Sequence, residues 1–243
     1  MKKRVQSWLR RAGWDIRWIP RALGRQPGAR LELSLELVIA RHYLEVDDFY
    51  FVQVGAFDGQ CVDPIARMRA KLHLRGLMIE AAPAAYQQLK NNVSAPEIEL
   101  LQVAVSDRET TAPFYTLAPH APNAPTKAPL ISSLSREALL GELGDSFDWS
   151  PWIEETIVPC TTLNQILEAR SVKRLDLLQI DAEGYDARIL RALDFGRWSP
   201  HIINFEHALL SPVESEACWQ FLIDRGYQLH VSPPDTLAVL KRS

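Results

Sequence analysis

Phe49-Tyr50-Phe51-Val52-Gln53-Val54-Gly55-Ala56-Phe57-Asp58-Gly59 opens as an apolar run and stops on two glycines. A run with this length and this aromatic and β-branched content reads as a buried strand. Glycine suits the turn that follows, because the backbone there must bend tightly and come close to a ligand. A second apolar run, Leu77 to Ile79, closes on Glu80 about twenty residues further on, where a carboxylate can accept the hydroxyl protons of a ribose. The plain alternative for Glu80 is an exposed acid at a strand end.

On either side of this stretch the chain alternates. A helix over Leu31 to Tyr43 precedes it. After Glu80 come helix Pro83 to Asn92, strand Ile98 to Val105, helix Thr162 to Ala169, strand Leu175 to Ile180, helix Tyr185 to Leu193, strand Ile202 to Phe205 and helix Val213 to Arg225. Alternation of this kind predicts a parallel sheet with helices on both faces. Thr162 and Gln165 form a T-x-x-Q capping box at one helix start. The runs Tyr227 to Val231 and Thr236 to Leu240 flank the turn Ser232-Pro233-Pro234-Asp235 and predict a terminal antiparallel hairpin. The fold expected over residues 49–243 is therefore α/β, a Rossmann-like, doubly wound, mostly parallel sheet with a C-terminal antiparallel hairpin.

The rhythm breaks between Asp107 and Val158, where Pro113, Pro119, Pro122, Pro125 and Pro129 precede Ser132-Ser133 and an acidic stretch around Trp149 and Trp152. An insertion this long, about residues 108–158, predicts a lid, a binding loop or a disordered segment. A lid that selects the substrate is the reading adopted.

At 243 residues, 47% hydrophobic and 23% charged, the composition is that of an ordinary soluble protein. No stretch has the roughly eighteen apolar residues of a membrane span, and no secretory signal is evident, so a cytoplasmic location is expected. Cys61, Cys160 and Cys218 are far apart and outside any C-x-x-C pattern, which points to free thiols rather than zinc ligands. Residues 1–30 carry nine Lys or Arg against one acid, Asp15, whereas the remainder is acidic. Within Met1 to Pro20, Val5, Trp8, Leu9, Ala12 and Ile16 fall at helical spacing among Arg4, Arg10, Arg11 and Arg17. That pattern fits a basic amphipathic arm, at residues 1–48 together with the helix that follows. Its candidate partners are a membrane surface, contacted peripherally through residues 1–20, or the arm's own domain or a twin subunit in a homo-oligomer. No nucleic-acid partner is expected.

Nicotinamide enzymes share the glycine turn and the acid, but they normally need G-x-G-x-x-G to seat a pyrophosphate. Here Phe57 and Gln60 stand at the second and third glycine positions. S-adenosylmethionine has no pyrophosphate, and Asp58 is available to its amine or ribose.

Several segments then resemble the FkbM family of methyltransferases: Phe51 to Gly59, Glu80-Ala81-Ala82-Pro83 with Tyr86 and Leu89, Ser132-Ser133-Leu134, Thr162-Leu163, and most distinctively Leu175 to Gly184, which ends Ile180-Asp181-Ala182-Glu183-Gly184. The resemblance covers about residues 49–207. It implies S-adenosylmethionine as cofactor and O-methylation of a sugar, glycan or natural-product hydroxyl. It also implies that Gly55, Ala56, Asp58 and Gly59 line the cofactor, that Glu80 holds its ribose, that Ala104 and Val105 border the adenine, and that Asp181 lies near the sulfonium methyl. Asn164 departs from the family, which often has an acid there, at a position expected to be structural.

Methyl transfer to an alcohol is an in-line displacement, so positioning supplies much of the rate and a base that removes the hydroxyl proton supplies more. The candidate bases are Asp181, Glu183, Glu206 and His207, which end neighbouring strands and are expected to converge on one pocket. His207 titrates nearest neutrality, and Asp181 has the second option of binding the cofactor. Glu183 has the alternative of capping the helix after it. Three carboxylates with a histidine also have the donor chemistry for a divalent metal, but no metal site is assigned. Two other functions share the fold: an NAD-dependent sugar oxidoreductase, and a non-catalytic cofactor-binding protein recruited through its basic arm.

Overall fold

A computed structural model describes residues 34–61, 63–118, 120–124 and 132–241. The basic arm over residues 1–20 and its membrane or subunit contact lie outside the described residues. Helix α1 (Leu35–Glu45) is followed by β1 (Tyr50–Val54), α2 (Ala66–Leu72), β2 (Arg75–Glu80), α3 (Pro83–Asn92) and β3 (Ile98–Gln102). Next come β4 (Ala104–Ser106), β5 (Thr110–Leu117), β6 (Ser132–Ser133), α4 (Arg136–Leu143) and β7 (Ile153–Thr162). The chain finishes with α5 (Leu163–Ala169), β8 (Leu177–Ile180), α6 (Asp186–Ala192), β9 (Ile202–Glu206), α7 (Pro212–Ile223), β10 (Tyr227–Ser232) and β11 (Asp235–Leu240).

Seven strands form the main sheet in the order β10-β11-β9-β8-β1-β2-β3. Neighbours from β9 to β3 pair in parallel, as the alternating sequence requires. The terminal hairpin forms as expected, but its second strand lies inside: β11 pairs antiparallel with both β10 and β9. This places the β10–β11 turn at the carboxyl rim of the parallel strands, with Asp235 opposite Glu206.

Side chains alternate across the sheet and build two cores. Val52, Val54, Leu178, Ile180, Ile203 and Phe205 pack with residues of α5, α6 and α7 on one face. Phe51, Met78, Leu177 and Ile202 pack with Ile39 of α1, Met68 of α2 and Leu89 of α3 on the other. The Thr162–Gln165 capping box is formed in full. Asn164 is structural: it donates to the Ala192 carbonyl at 2.8 Å and accepts from the Asp194 N–H at 2.9 Å, tying α5 to the end of α6.

The predicted strand Ile98 to Val105 is two strands. It breaks at Val103, where the chain leaves the main sheet and enters a second one of order β4-β7-β5-β6. The proline-bearing insertion is thus folded where it is described, with β5 and β7 paired antiparallel from Thr110↔Cys160 to Leu117↔Ile153. Pro113 of the insertion and Pro159 just after it fit this sheet because they fall where their strands have no neighbour on the second side. Helix α4 covers it through a small core that includes Leu117, Leu139, Leu143 and Trp149. Among the described residues, no helix is long and apolar enough to cross a membrane.

Candidate active site

Between the carboxyl rim of the main sheet and the second sheet lies a cavity of about 300 Å³. The sheet registers dictate what faces it. One row, Met78, Gln53, Gln179, Asn204 and Leu237, crosses five strands in direct register. Two residues later along the parallel strands, hence on the same face, come Glu80, Gly55, Asp181 and Glu206, and Glu206 pairs with Asp235. A row of carboxylates, interrupted only at Gly55, therefore stands above a row whose three central members are amides. Val103, Ala104 and Val105, at the crossing between sheets, close one side, and Phe114, Ser133 and Leu134 of the insertion close another.

The gap at Gly55 is steric. Its φ is +73°, and a Cβ there would lie 1.6 Å from the Asp181 carbonyl oxygen. Glycine is required here by the neighbouring strand, and the same close approach fixes Asp181 beside the turn.

Glu80 is buried, and each of its oxygens accepts one backbone hydrogen bond at 2.8 Å, from Phe57 N–H and Ala82 N–H. Each oxygen keeps a further lone pair. Burial pushes its pKa up to about 7 despite those hydrogen bonds. Asp181, Glu183 and Glu206 place carboxylate oxygens within 4.8 Å of one another, close enough to contact one small cation together. Desolvation first, and then repulsion from neighbouring carboxylates, raises all three: Asp181 to about 6 beside Asp235 and Glu142, Glu206 to about 7 beside Asp181 and Glu142, and Glu183 to about 9 beside Asp181 and Glu206. Glu183 sits at φ +49° before Gly184 at +88°, a backbone seldom adopted by non-glycine residues. The turn is held by Ser133 Oγ, which donates to the Glu183 carbonyl at 2.8 Å.

The cavity thus gathers Gly55, Ala56, Glu80, Ala104, Val105, Asp181, Glu183 and Glu206 from the residues expected of it. Asp58, Gly59 and His207 are not among its lining residues. Asp58 Oδ1 instead accepts from Gln60 and Cys61 N–H at 2.9 and 2.7 Å, shaping the glycine turn. A Cβ on Gly59 would meet Leu89 and Val93 at 2.7 Å, so that glycine serves the packing of α3. His207 lies 3.1 Å from Thr236 Oγ1 and edge-on to Trp219, and burial lowers its pKa.

Four acids that line or support the cavity escaped the sequence reading. Asp63, Glu142 and Asp235 line it. Asp186 is fully buried beneath, accepting from Ala182 and Glu206 N–H at 3.2 Å, so one side chain joins the ends of β8 and β9. The amide row did leave a signal. Val-Gln-Val, Leu-Gln-Ile and Ile-Asn-Phe put one polar residue inside each of three central parallel strands, which ordinarily read as continuous apolar runs.

No curated protein matches the chain. Among solved structures, methyltransferase FkbM from Methylobacillus flagellatus KT is similar at 13% identity and a TM-score of 0.47, over 79% of this chain and 43% of that one. This chain thus spans less than half of that protein's length. A precorrin-6y C5,15-methyltransferase from Geobacter metallireducens GS-15 aligns at 12% identity and a TM-score of 0.41, over 87% of this chain and 90% of its own. The METTL16 methyltransferase domain aligns at 10% identity and a TM-score of 0.44, over 83% and 64%. The family described as Methyltransferase FkbM domain matches residues 53–229, from the glycine-turn strand to the terminal hairpin, and the chain belongs to that family.

Proposed function

We propose that the protein is an S-adenosylmethionine-dependent O-methyltransferase acting on a hydroxyl of a sugar, glycan or natural-product acceptor. The carrying observation is the charge of the cavity: seven of its lining residues are acids, and no Lys or Arg is among them. A pyrophosphate would be repelled there, which disfavours the NAD-dependent reading, whereas a sulfonium and an ammonium would be attracted. The residues also fit the rest of the cofactor. Glu80 keeps acceptor capacity for two ribose hydroxyls, and Ala104 and Val105 supply an apolar wall for a base.

When bound, the cofactor supplies an electrophilic methyl group. The protein's part is positioning, charge and one proton transfer. Asp181, with the lowest pKa of the central three acids, is ionised near neutrality and faces positive charge. Glu183 stays protonated and can donate a hydrogen bond to an acceptor oxygen. Glu206, poised at about 7, takes the hydroxyl proton on its carboxylate. Ser133 holds the Glu183 turn and joins the insertion to the site, which supports its role in selecting the acceptor.

Calorimetric titration with S-adenosylhomocysteine, with NAD as competitor, tests the reading. Binding of the adenosyl compound, weakened about tenfold by Glu80→Ala through the lost charge-assisted hydrogen bonds, is expected. Binding of NAD alone would transfer the protein to oxidoreductase chemistry.

A further inference from the structure

Val213 is the most exposed large apolar side chain among the described residues, at 76%. It stands at the carboxyl rim, in residues 208–213, which carry the chain from β9 into α7. Ala208 and Pro212 are exposed beside it and Leu209 and Leu210 are half-buried, so these residues form an apolar ledge. The Ala208 N–H donates to the Pro234 carbonyl at 3.2 Å, and Pro234 lines the cavity, so the ledge borders the cavity's mouth. Leu209 also stands against the β8–α6 turn: a Cβ on Gly184 would meet Leu209 Cβ at 3.7 Å and Ala138 Cβ of α4 at 3.1 Å. Carboxylates flank the ledge. Glu206 precedes it, Glu216 follows Val213 by one helical turn, and α4 carries Glu137 and Glu142. None of these four acids forms an ion pair with a described Lys or Arg.

The direction of α1 brings a complementary segment to the same rim. His42, near the end of α1, bonds Asp176 at the amino end of β8, whereas Glu36, in its first turn, faces Arg67 of α2 at 3.7 Å. Arg67 lies three residues beyond Pro64, which lines the cavity. Helix α1 therefore starts at the carboxyl rim, and the chain before it is tethered there. That chain holds nine Lys or Arg against one acid over residues 1–30, with Val5, Trp8, Leu9, Ala12 and Ile16 at helical spacing. Twenty residues measure about 30 Å as a helix and more when extended, so the ledge is within reach of the tether. An apolar stripe flanked by cations matches an apolar ledge flanked by carboxylates in both respects. A tethered segment also meets its site at an effective concentration on the order of millimolar, which favours the arm's own domain over a second copy. We infer that residues 1–20 dock in cis on the ledge at residues 208–213, with their cations towards Glu137, Glu142, Glu206 and Glu216. The arm then forms part of the entrance to the cavity, while the acids inside remain for the ligand. Neither surface depends on which cofactor binds, and the arm lies outside the family match at residues 53–229.

Trypsin cuts after Lys and Arg, so cleavage of the full chain at Arg4, Arg10, Arg11 and Arg17 reads the docking directly. Cleavage tracks the undocked population when docking exchanges rapidly. At about 20 mM salt the arm should be cut about tenfold more slowly than at about 500 mM, where the ion pairs are screened, and dilution of the protein should leave the rate unchanged. Val213→Lys combined with Glu216→Lys should remove most of that protection at low salt, since both side chains are exposed and the change puts cations where the arm's cations would sit. An unfolding midpoint in urea close to wild type would report an intact fold. Should the double variant fail to fold, Val213→Ser alone decides, with an expected loss of protection of about threefold. Protection that fades on dilution would assign the arm to a second copy and overturn docking in cis. Protection seen only with phosphatidylserine vesicles would assign it to a membrane and overturn the inference equally. So would cleavage that is indifferent to salt and to the substitutions.

Discussion

Asp176 and Asp181 bracket the four residues of β8, yet their surroundings drive them in opposite directions. At the amino end, Asp176 is 2% exposed, and burial alone would raise its pKa. His42 Nε2 at 2.8 Å, the Tyr50 N–H at 2.9 Å and Arg174 at 3.0 Å outweigh that burial and hold the carboxyl below its ordinary range. At the carboxyl end, Asp181 has Glu183 and Glu206 as near neighbours, and burial with repulsion from Asp235 and Glu142 lifts it to about 6. One end of the strand is a satisfied structural joint among α1, β1 and β8. The other is an accumulation of like charge that folding alone does not justify and that the proposed cationic cofactor would balance.

The largest effect is expected where the carboxylate is satisfied. Asp176→Ala leaves the Tyr50 N–H and His42 Nε2 buried without their acceptor, so urea denaturation at pH 7 should show a loss of about 3 kcal/mol. A loss below about 1 kcal/mol would dissolve the contrast between the two ends. Glu206→Gln should behave in the reverse manner. Its unfolding midpoint should stay near wild type, while kcat on a hydroxyl acceptor found by screening glycans and polyketides falls about a hundredfold, the equivalent of about 2.7 kcal/mol in the barrier. Unchanged turnover would remove Glu206 from the role of base.

Much of this asymmetry was legible in the sequence, because period and punctuation carry it. The alternation of apolar runs pointed to the parallel sheet, Gly55 and Glu80 to the rim that bounds the cavity, and Ile180-Asp181-Ala182-Glu183-Gly184 to the acids. What escaped depends on distance along the chain. Asp235 joins the rim only because β11 inserts between β9 and β10, which no local pattern specifies. Glu142 reaches it through the insertion, whose Pro113 reads as a breaker although it falls on an unpaired strand edge. Asp58 and His207 suggested chemistry by residue type, yet the fold spends one on its own glycine turn and sets the other against Trp219.

The smallest predicted effect is the most diagnostic, because its sign differs between the two ends. Asp181 titrates at about 6 when folded against 3.8 as a free side chain, so the folded protein holds its proton more readily. Its contribution to stability is fully present below pH 3.8 and is lost as pH rises through about 6. Asp176 contributes oppositely: its stabilisation is present above 3.8 and is lost as pH falls through its lowered folded value. Asp181→Asn replaces a repelled charge by a neutral group of the same shape. The variant should therefore be more stable than wild type by about 1 kcal/mol at pH 8, after allowance for solvent screening, and the gap should narrow towards pH 5. Glu80 and Glu206, both raised from 4.5 to about 7, add the same slope to wild type across that window. A variant less stable than wild type at pH 8 would mean that the rim acids hold the fold together as Asp176 does, and the cavity would lose its claim to be built for positive charge.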